Sequence, residues 1–249
     1  MKILLTNDDG YGAPGIEALR CALEARGHVV TVVAPEEQRS GAGHGVTLQR
    51  DLRARRRPAG YSLDGTPADC AKIGIRFLAP DCDMVVSGIN QGANLGVDTN
   101  YSGTAAAARE AAIQGKPALA ASCWGKAFRD AAYLAEISVR VAEALAERPL
   151  PAGTFLNLNL PNAARGEAVP IETAPLGWFV YEREFTRRPG AEPDEWIFTP
   201  GYSKEQRLEA GFFDCNRVRL GRATLTPVSW DATATAGFAA ALEIADRLR

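Results

Sequence analysis

The chain has 249 residues, 46% of them hydrophobic, and a formal net charge of −2. That length and apolar content suffice for one α/β domain with a large buried core. The near-neutral balance excludes the basic footprint of a protein that binds a nucleic-acid polymer, and no apolar run approaches the length of a membrane span.

The first element is the apolar run Ile3-Leu4-Leu5, which reads as a buried strand and ends in the polar turn Asn7-Asp8-Asp9-Gly10. Ile16, Leu19 and Leu23 then recur at helical spacing from Pro14 to Arg26, with Pro near the start and Gly27 at the end as punctuation. His28 to Ala34 is a β-branched strand stopped by Pro35. Arg50 to Arg57 carries five arginines and reads as a solvated loop or edge strand. Thr66 is placed as the N-cap of a helix through Leu78, with Pro67 first and Asp69 third.

Met84 to Ser87 forms another short strand, followed by a loop rich in Gly and Asn. Thr104 to Gln114 is an Ala-rich helix closed by Gly115, Ala118 to Ser122 a strand, and Phe128 to Glu147 a long amphipathic helix. Thr154 to Leu160 adds a strand. This alternation implies an α/β fold, a mostly parallel sheet with helices on both faces. The rhythm stops after Pro161. From about 162 to 215 the chain carries Trp178, Phe179, Tyr181, Trp196, Phe198, Tyr202, Phe212 and Phe213, which suggests a β-rich antiparallel arm whose aromatics pack or make oligomer contacts. Arg222 to Val228 reads as a last strand and Ala236 to Leu248 as a closing helix. Residues 1–161 are therefore expected to form the α/β core and 162–249 an extension of the same single domain.

The chain opens on a strand, not on a charged and then apolar leader, and its five cysteines (Cys21, Cys70, Cys82, Cys123, Cys215) show no C-x-x-C pair. They suit neither a disulfide framework nor a zinc site, and the expectation is a soluble cytoplasmic protein.

Three glycine-bearing polar loops follow strands, and in a parallel sheet such loops share one edge. The first holds Asp8 and Asp9. The second runs from Glu36 through Arg39, Ser40 and His44 to Gly45, and the third from Ser87 through Asn90, Asn94 and Asp98 to Ser102-Gly103-Thr104. Carboxylates, a hydroxyl and amide oxygens are hard ligands suited to Mg²⁺, Mn²⁺ or Ca²⁺. Ser102-Gly103-Thr104 begins a helix, where free N–H groups and the positive dipole end favour an anion such as phosphate. Simple helix capping is the plainer reading of the same residues. A metal beside a phosphate cradle suggests phosphoryl chemistry.

Five motifs stand in order: Asn-Asp-Asp-Gly (7–10), Arg-Ser-Gly-Ala-Gly-His (39–44), Gly-Thr-Pro-Ala-Asp-Cys (65–70), Ser-Gly-Ile-Asn-x-Gly-Ala-Asn-Leu-Gly (87–96) and Tyr-Ser-Gly-Thr (101–104). Together they closely resemble the SurE family of survival-protein nucleotidases, over about residues 1–160 and again weakly near Thr224-Leu225-Thr226-Pro227. The resemblance implies a Rossmann-like domain with a C-terminal dimerisation arm. It also implies a phosphomonoesterase that uses one divalent ion per subunit, Mg²⁺ or Mn²⁺, on nucleoside 5′- or 3′-monophosphates, in a homodimer or homotetramer. Its metal ligands carry over to Asp8, Asp9, Ser40 and Asn90, and its phosphate-lining positions to Asn94, Ser102, Gly103 and Thr104.

Asp9 is the preferred general base and His44 a candidate acid for the leaving alkoxide, although a lone His in a glycine loop is more often a hydrogen-bonding surface residue; His28 is structural. The chain departs from the family at Gly45, at Val97 and across 162–215. Those departures leave open a phosphatase for a specialised phosphorylated intermediate. A non-catalytic nucleotide-binding module would be expected to have lost a ligand, and a haloacid-dehalogenase-type enzyme would need Asp-x-Asp where the acids here are adjacent.

Overall fold

The computed structural model describes residues 1–181, 185–201, 206–208 and 210–247. In chain order these form β1 (Lys2–Thr6), α1 (Pro14–Ala25), β2 (Val29–Pro35), β3 (Ala54–Arg57), β4 (Gly60–Leu63), α2 (Pro67–Ile73), β5 (Met84–Gln91), α3 (Gly103–Ile113), β6 (Ala118–Trp124), α4 (Ala131–Glu147) and β7 (Thr154–Pro161). There follow β8 (Ile171–Thr173), β9 (Phe179–Tyr181), β10 (Phe185–Pro189), β11 (Trp196–Pro200), β12 (Gln206–Leu208), α5 (Asp214–Arg219), β13 (Ala223–Ser229) and α6 (Phe238–Arg247).

Nine strands make one sheet in the order β3-β4-β2-β1-β5-β6-β7-β13-β8. From β4 to β7 every neighbour pair is parallel, while β3 runs antiparallel to β4 and β13 antiparallel to β7. The α/β class with a mostly parallel sheet is what the alternation implied. The chain leaves β1 toward β2 on one side and returns to β5 on the other. The strand order therefore reverses beside β1, and such a switch point opens a crevice at the carboxyl ends of the strands. Asp8 and Asn90 sit at that end.

Two cores flank the sheet. On one face Ile16, Leu19 and Leu23 of α1 and Leu134, Ile137 and Val141 of α4 pack over Ile3, Leu5 and Val86. On the other, Ala105, Ala108 and Ala111 of α3 lie over Val85, Ala120 and Phe155. The alanine run lets the α3 backbone approach the sheet closely. Helix α2 begins as the sequence indicated: Thr66 Oγ1 accepts from Asp69 N and the Asp69 carboxylate accepts from Thr66 N. It passes at Gly74–Leu78 into a π-helical segment.

Several boundaries differ from the sequence reading. β5 continues through Gln91, so Asn90 is a strand residue and not a loop residue, with a register shift between Ser87 and Asn90. The polar side chains at its end hid the strand. β4 was missed because Gly60-Tyr61-Ser62-Leu63 is short and starts with glycine; it pairs with β2 beyond the edge strand formed by the arginines. α4 starts only at its Asp130 cap.

After Pro161, β13 and β8 join the main sheet, whereas β10–β11 and β9–β12 form two separate antiparallel pairs. Trp178, Phe185, Trp196, Phe198 and Phe212 are exposed, and Tyr202 lies outside the described residues. No helix among the described residues is long and apolar enough to cross a membrane.

Gly15 allows α1 to touch the backbone of β5, because a Cβ there would lie 1.9 Å from the Ile89 carbonyl oxygen. Gly15→Ala is expected to destabilise the protein by about 1–3 kcal/mol through overpacking, read as a lower urea midpoint.

Candidate active site at the carboxyl edge of the sheet

Asp8 is 4% exposed, at the end of β1. Its Oδ1 accepts the Thr104 hydroxyl at 2.5 Å, and its carbonyl oxygen accepts Arg39 N at 2.7 Å. The side chain is thus locked to the start of α3 and its backbone to the loop carrying Ser40. The fit leaves no slack, since a Cβ on Gly103 would come 2.7 Å from Asp8 Cβ. Burial pushes the Asp8 carboxyl up to about 6; the Thr104 hydroxyl works against that shift and the neighbouring Asp9 charge adds to it. Asp9 is also raised by burial, opposed by hydrogen bonds from Gln91 N and the Gln38 amide, each 3.3 Å long. Among the described residues no lysine or arginine pairs with either carboxylate.

Asp8, Ser40, Asn90, Asn94 and Ser102 all line one cavity of about 580 Å³. Asn90 Nδ2 donates to the Gly92 carbonyl at 2.7 Å, so its side-chain oxygen is the atom left for a cation. Ser102 caps α3 by accepting Ala105 N at 3.0 Å. Asp9 stands beside this lining, and Gly103 and Thr104 stand behind Asp8. His44 is outside it, with Nε2 3.0 Å from Glu110 Oε2. His28 is removed from the site, held between the N-terminus and Glu143.

The donor set fits a hard divalent ion. Among the described residues no group of three His, Cys, Asp or Glu side chains gathers to hold a metal, so the candidates are two carboxylates with a hydroxyl and an amide oxygen. A buried carboxylate beside a half-buried one, with no lysine or arginine paired to either among the described residues, forms a site short of positive charge, and those oxygens suit a hard divalent ion.

Sequence reasoning missed the residues that hold the loops. Asn94 N donates to Asn159 Oδ1 at 2.8 Å, its Nδ2 donates to Ser122 Oγ at 2.8 Å, and its carbonyl accepts from Asn157 and Asn159 at 2.9 and 3.0 Å. The alternation Asn157-Leu158-Asn159 in an otherwise apolar strand was the available signal. Asp214, fully buried, accepts Gly96 N and Gly177 N at 2.9 Å and Cys215 N at 2.8 Å, which ties the 94–102 loop to the C-terminal extension. Nothing local in the sequence marks it. The 39–47 loop is fixed by His44 on Glu110, by Gly43 N on the Tyr101 carbonyl at 2.9 Å, and by Thr47 on Asp69.

A family model described as "Survival protein SurE" matches residues 3–183. The 5′-nucleotidase SurE of Carboxydothermus hydrogenoformans is 43% identical over 245 residues, covering 94% of this chain and 92% of the relative. That of Moorella thermoacetica is 41% identical over 242 residues, with 94% and 92% covered. The crystal structure of the SurE protein from Aquifex aeolicus superposes with a TM-score of 0.82 at 33% identity, over 96% of this chain and 98% of that one.

Two outcomes follow from the geometry. Between pH 3.8 and about 6 the folded, metal-free protein binds a proton at Asp8 that the unfolded chain has released. The Asp8 contribution therefore falls as pH rises through that window and stays unfavourable above it. Metal-free Asp8→Asn is expected to be more stable than the parent by about 1–3 kcal/mol at pH 7.5, with the gap closing at pH 4, as urea titrations would read. Asp214→Ala strands three buried amides, and a loss of about 2–4 kcal/mol is expected. Asp214→Asn should keep the fold but raise KM as the 94–102 loop loosens.

Proposed function

Because the chain belongs to the SurE family, we propose that it is a phosphoric monoester hydrolase, a divalent-metal-dependent enzyme that cleaves nucleoside 5′-monophosphates and also 3′-monophosphates. The observation that carries the reading is the convergence of Asp8, Ser40, Asn90, Asn94 and Ser102 on one cavity at the switch point of the sheet. One Mg²⁺ or Mn²⁺ per subunit, held by Asp8, Asp9, Ser40 and Asn90, would polarise a phosphoryl oxygen and offset its charge.

The chain's own groups supply the rest. Asn94 and Ser102 hold the phosphate at the start of α3, where the helix dipole favours an anion, while Gly103 and Thr104 shape this end of the site from behind Asp8, to which Thr104 donates. Asp9, held beside the cavity by the Gln38 amide and Gln91 N, takes a proton from the attacking water as its oxygen bonds to phosphorus. The ester P–O bond breaks, and the leaving alkoxide takes a proton from solvent water, the proton held by Asp9 returning to solvent. His44 fixes the Ser40–Gly45 loop through Glu110; the general-acid role is the alternative.

The extension 162–249 belongs to the same domain in this reading, supported by the placing of β13 and β8 in the main sheet. Its exposed aromatics Trp178, Trp196, Phe198 and Phe212 suit a homodimer or homotetramer contact. Five unpaired cysteines suit a reducing cytoplasm.

Phosphate release by metal-stripped protein tests the reading across nucleoside 5′- and 3′-monophosphates and simple phosphate esters, with EDTA, Mg²⁺ or Mn²⁺. Activity restored by a divalent ion and favouring nucleotides is expected, with a fall of about 10²-fold or more in Asp9→Asn. His44→Ala in the same series should slow alkyl and aryl esters alike; a loss confined to the poorer alkyl leaving groups would make His44 the acid. No turnover with any metal would sink the assignment.

A further inference from the structure

The cavity also has apolar lining. Beside the polar residues assigned to the ion and the phosphate, and beside Gln91 and Asp98, it is lined by Ala93, Val97, Tyr101 and Phe185. Tyr101 is 64% exposed and Phe185 59% exposed, so each presents an aromatic surface to the cavity with little protein over it.

Both are held from behind. The Tyr101 backbone is bonded on either side, its N–H to the Asp98 carbonyl at 3.0 Å and its carbonyl to Gly43 N at 2.9 Å. Phe185 is the first residue of β10, in register with Pro200 of β11. The arm thus delivers an aromatic side chain to a cavity built from the distant N-terminal core. Two other exposed aromatics of the extension are already stacked: Arg187 lies 4.6 Å from the Trp196 ring centre, and Arg217 4.8 Å from that of Phe212. Trp178 and Phe198 are exposed as well but do not line the cavity, whereas Tyr101 and Phe185 do.

We propose that Tyr101 and Phe185 form the stacking platform for the substrate's nucleobase, and that Phe185 makes the divergent arm a specificity element of this enzyme. This deepens the nucleotidase reading and rests on it. About 580 Å³ is far more than a phosphate needs, and it falls in the range of sites that enclose small organic ligands. Gln91 and Asp98 on the same lining carry the hydrogen-bonding groups a sugar calls for, and the aromatic pair is more than a sugar needs. A planar base is what two aromatic faces and an apolar floor accommodate, whichever base it is. The platform would select nucleotides as a class over sugar phosphates, with modest discrimination among bases.

Ribose 5-phosphate is the control, because it keeps the phosphate and sugar and lacks only the base. In the wild-type enzyme kcat/KM should favour AMP over ribose 5-phosphate. Phe185→Ala is expected to reduce that preference about tenfold, mainly through the KM for AMP, and Phe185→Trp to restore it. Tyr101→Leu should act in the same direction, with Tyr101→Phe near wild type. Adenosine should inhibit wild type competitively, and about tenfold more weakly in Phe185→Ala.

An equal loss on AMP and ribose 5-phosphate would overturn the proposal, as would a Phe185→Ala variant whose altered mass by light scattering assigns the side chain to subunit packing. A wild-type enzyme with no preference for AMP would instead refute the nucleotidase reading itself. The two failures are therefore separable.

Discussion

The contact between Asp8 and the first turn of α3 is the constraint around which the rest of the site is arranged. A carboxylate this far from water is unfavourable when ionised, more so with Asp9 beside it. Thr104 offsets part of that cost through its hydroxyl, and the dipole of α3 contributes in the same sense. What remains is a local deficit of positive charge at the mouth of the sheet. The same contact forces Gly103, because a side chain there would collide with Asp8. The end of β1 and the start of α3 are consequently locked at a distance that neither element could set alone.

Sites assembled from loops lose precision unless other residues hold the loops. Here the holding groups are buried and stand back from the chemistry. Asn157 and Asn159 grip Asn94 from β7, Asp214 grips Gly96 from the C-terminal extension, and Asp69 and Glu110 secure the loop of Ser40. Each uses hydrogen bonds to backbone or to a polar side chain in a region of low dielectric, where such bonds are strong and a missing partner is costly. The extension is therefore part of the machinery that sets the shape of the 94–102 loop, in addition to whatever its exposed aromatics contact.

Much of this was legible from the chain. The alternation of apolar runs with capped helices specifies the central layers, because burial on both faces of a parallel sheet leaves continuous apolar strands. Thr66, Pro67 and Asp69 announce α2 through a local capping box. What escaped was non-local or locally ambiguous. β4 is too short to show a period, and the end of β5 is polar because it belongs to the site. Asp214 is one carboxylate among many until folding brings Gly96 and Gly177 to it.

The sequence by itself determined the fold class, the hard oxygen character of the candidate ligands and the loops that carry them. These depend on residue type and short-range spacing, which the chain displays directly. Only the tertiary structure decided which of those side chains share a cavity. It set His44 against Glu110, moved Asn90 onto a strand and brought Phe185 from the arm to a site built by the N-terminal half. The physical reason is that convergence depends on strand order and on hydrogen bonds between residues far apart in the chain, and no local pattern encodes either.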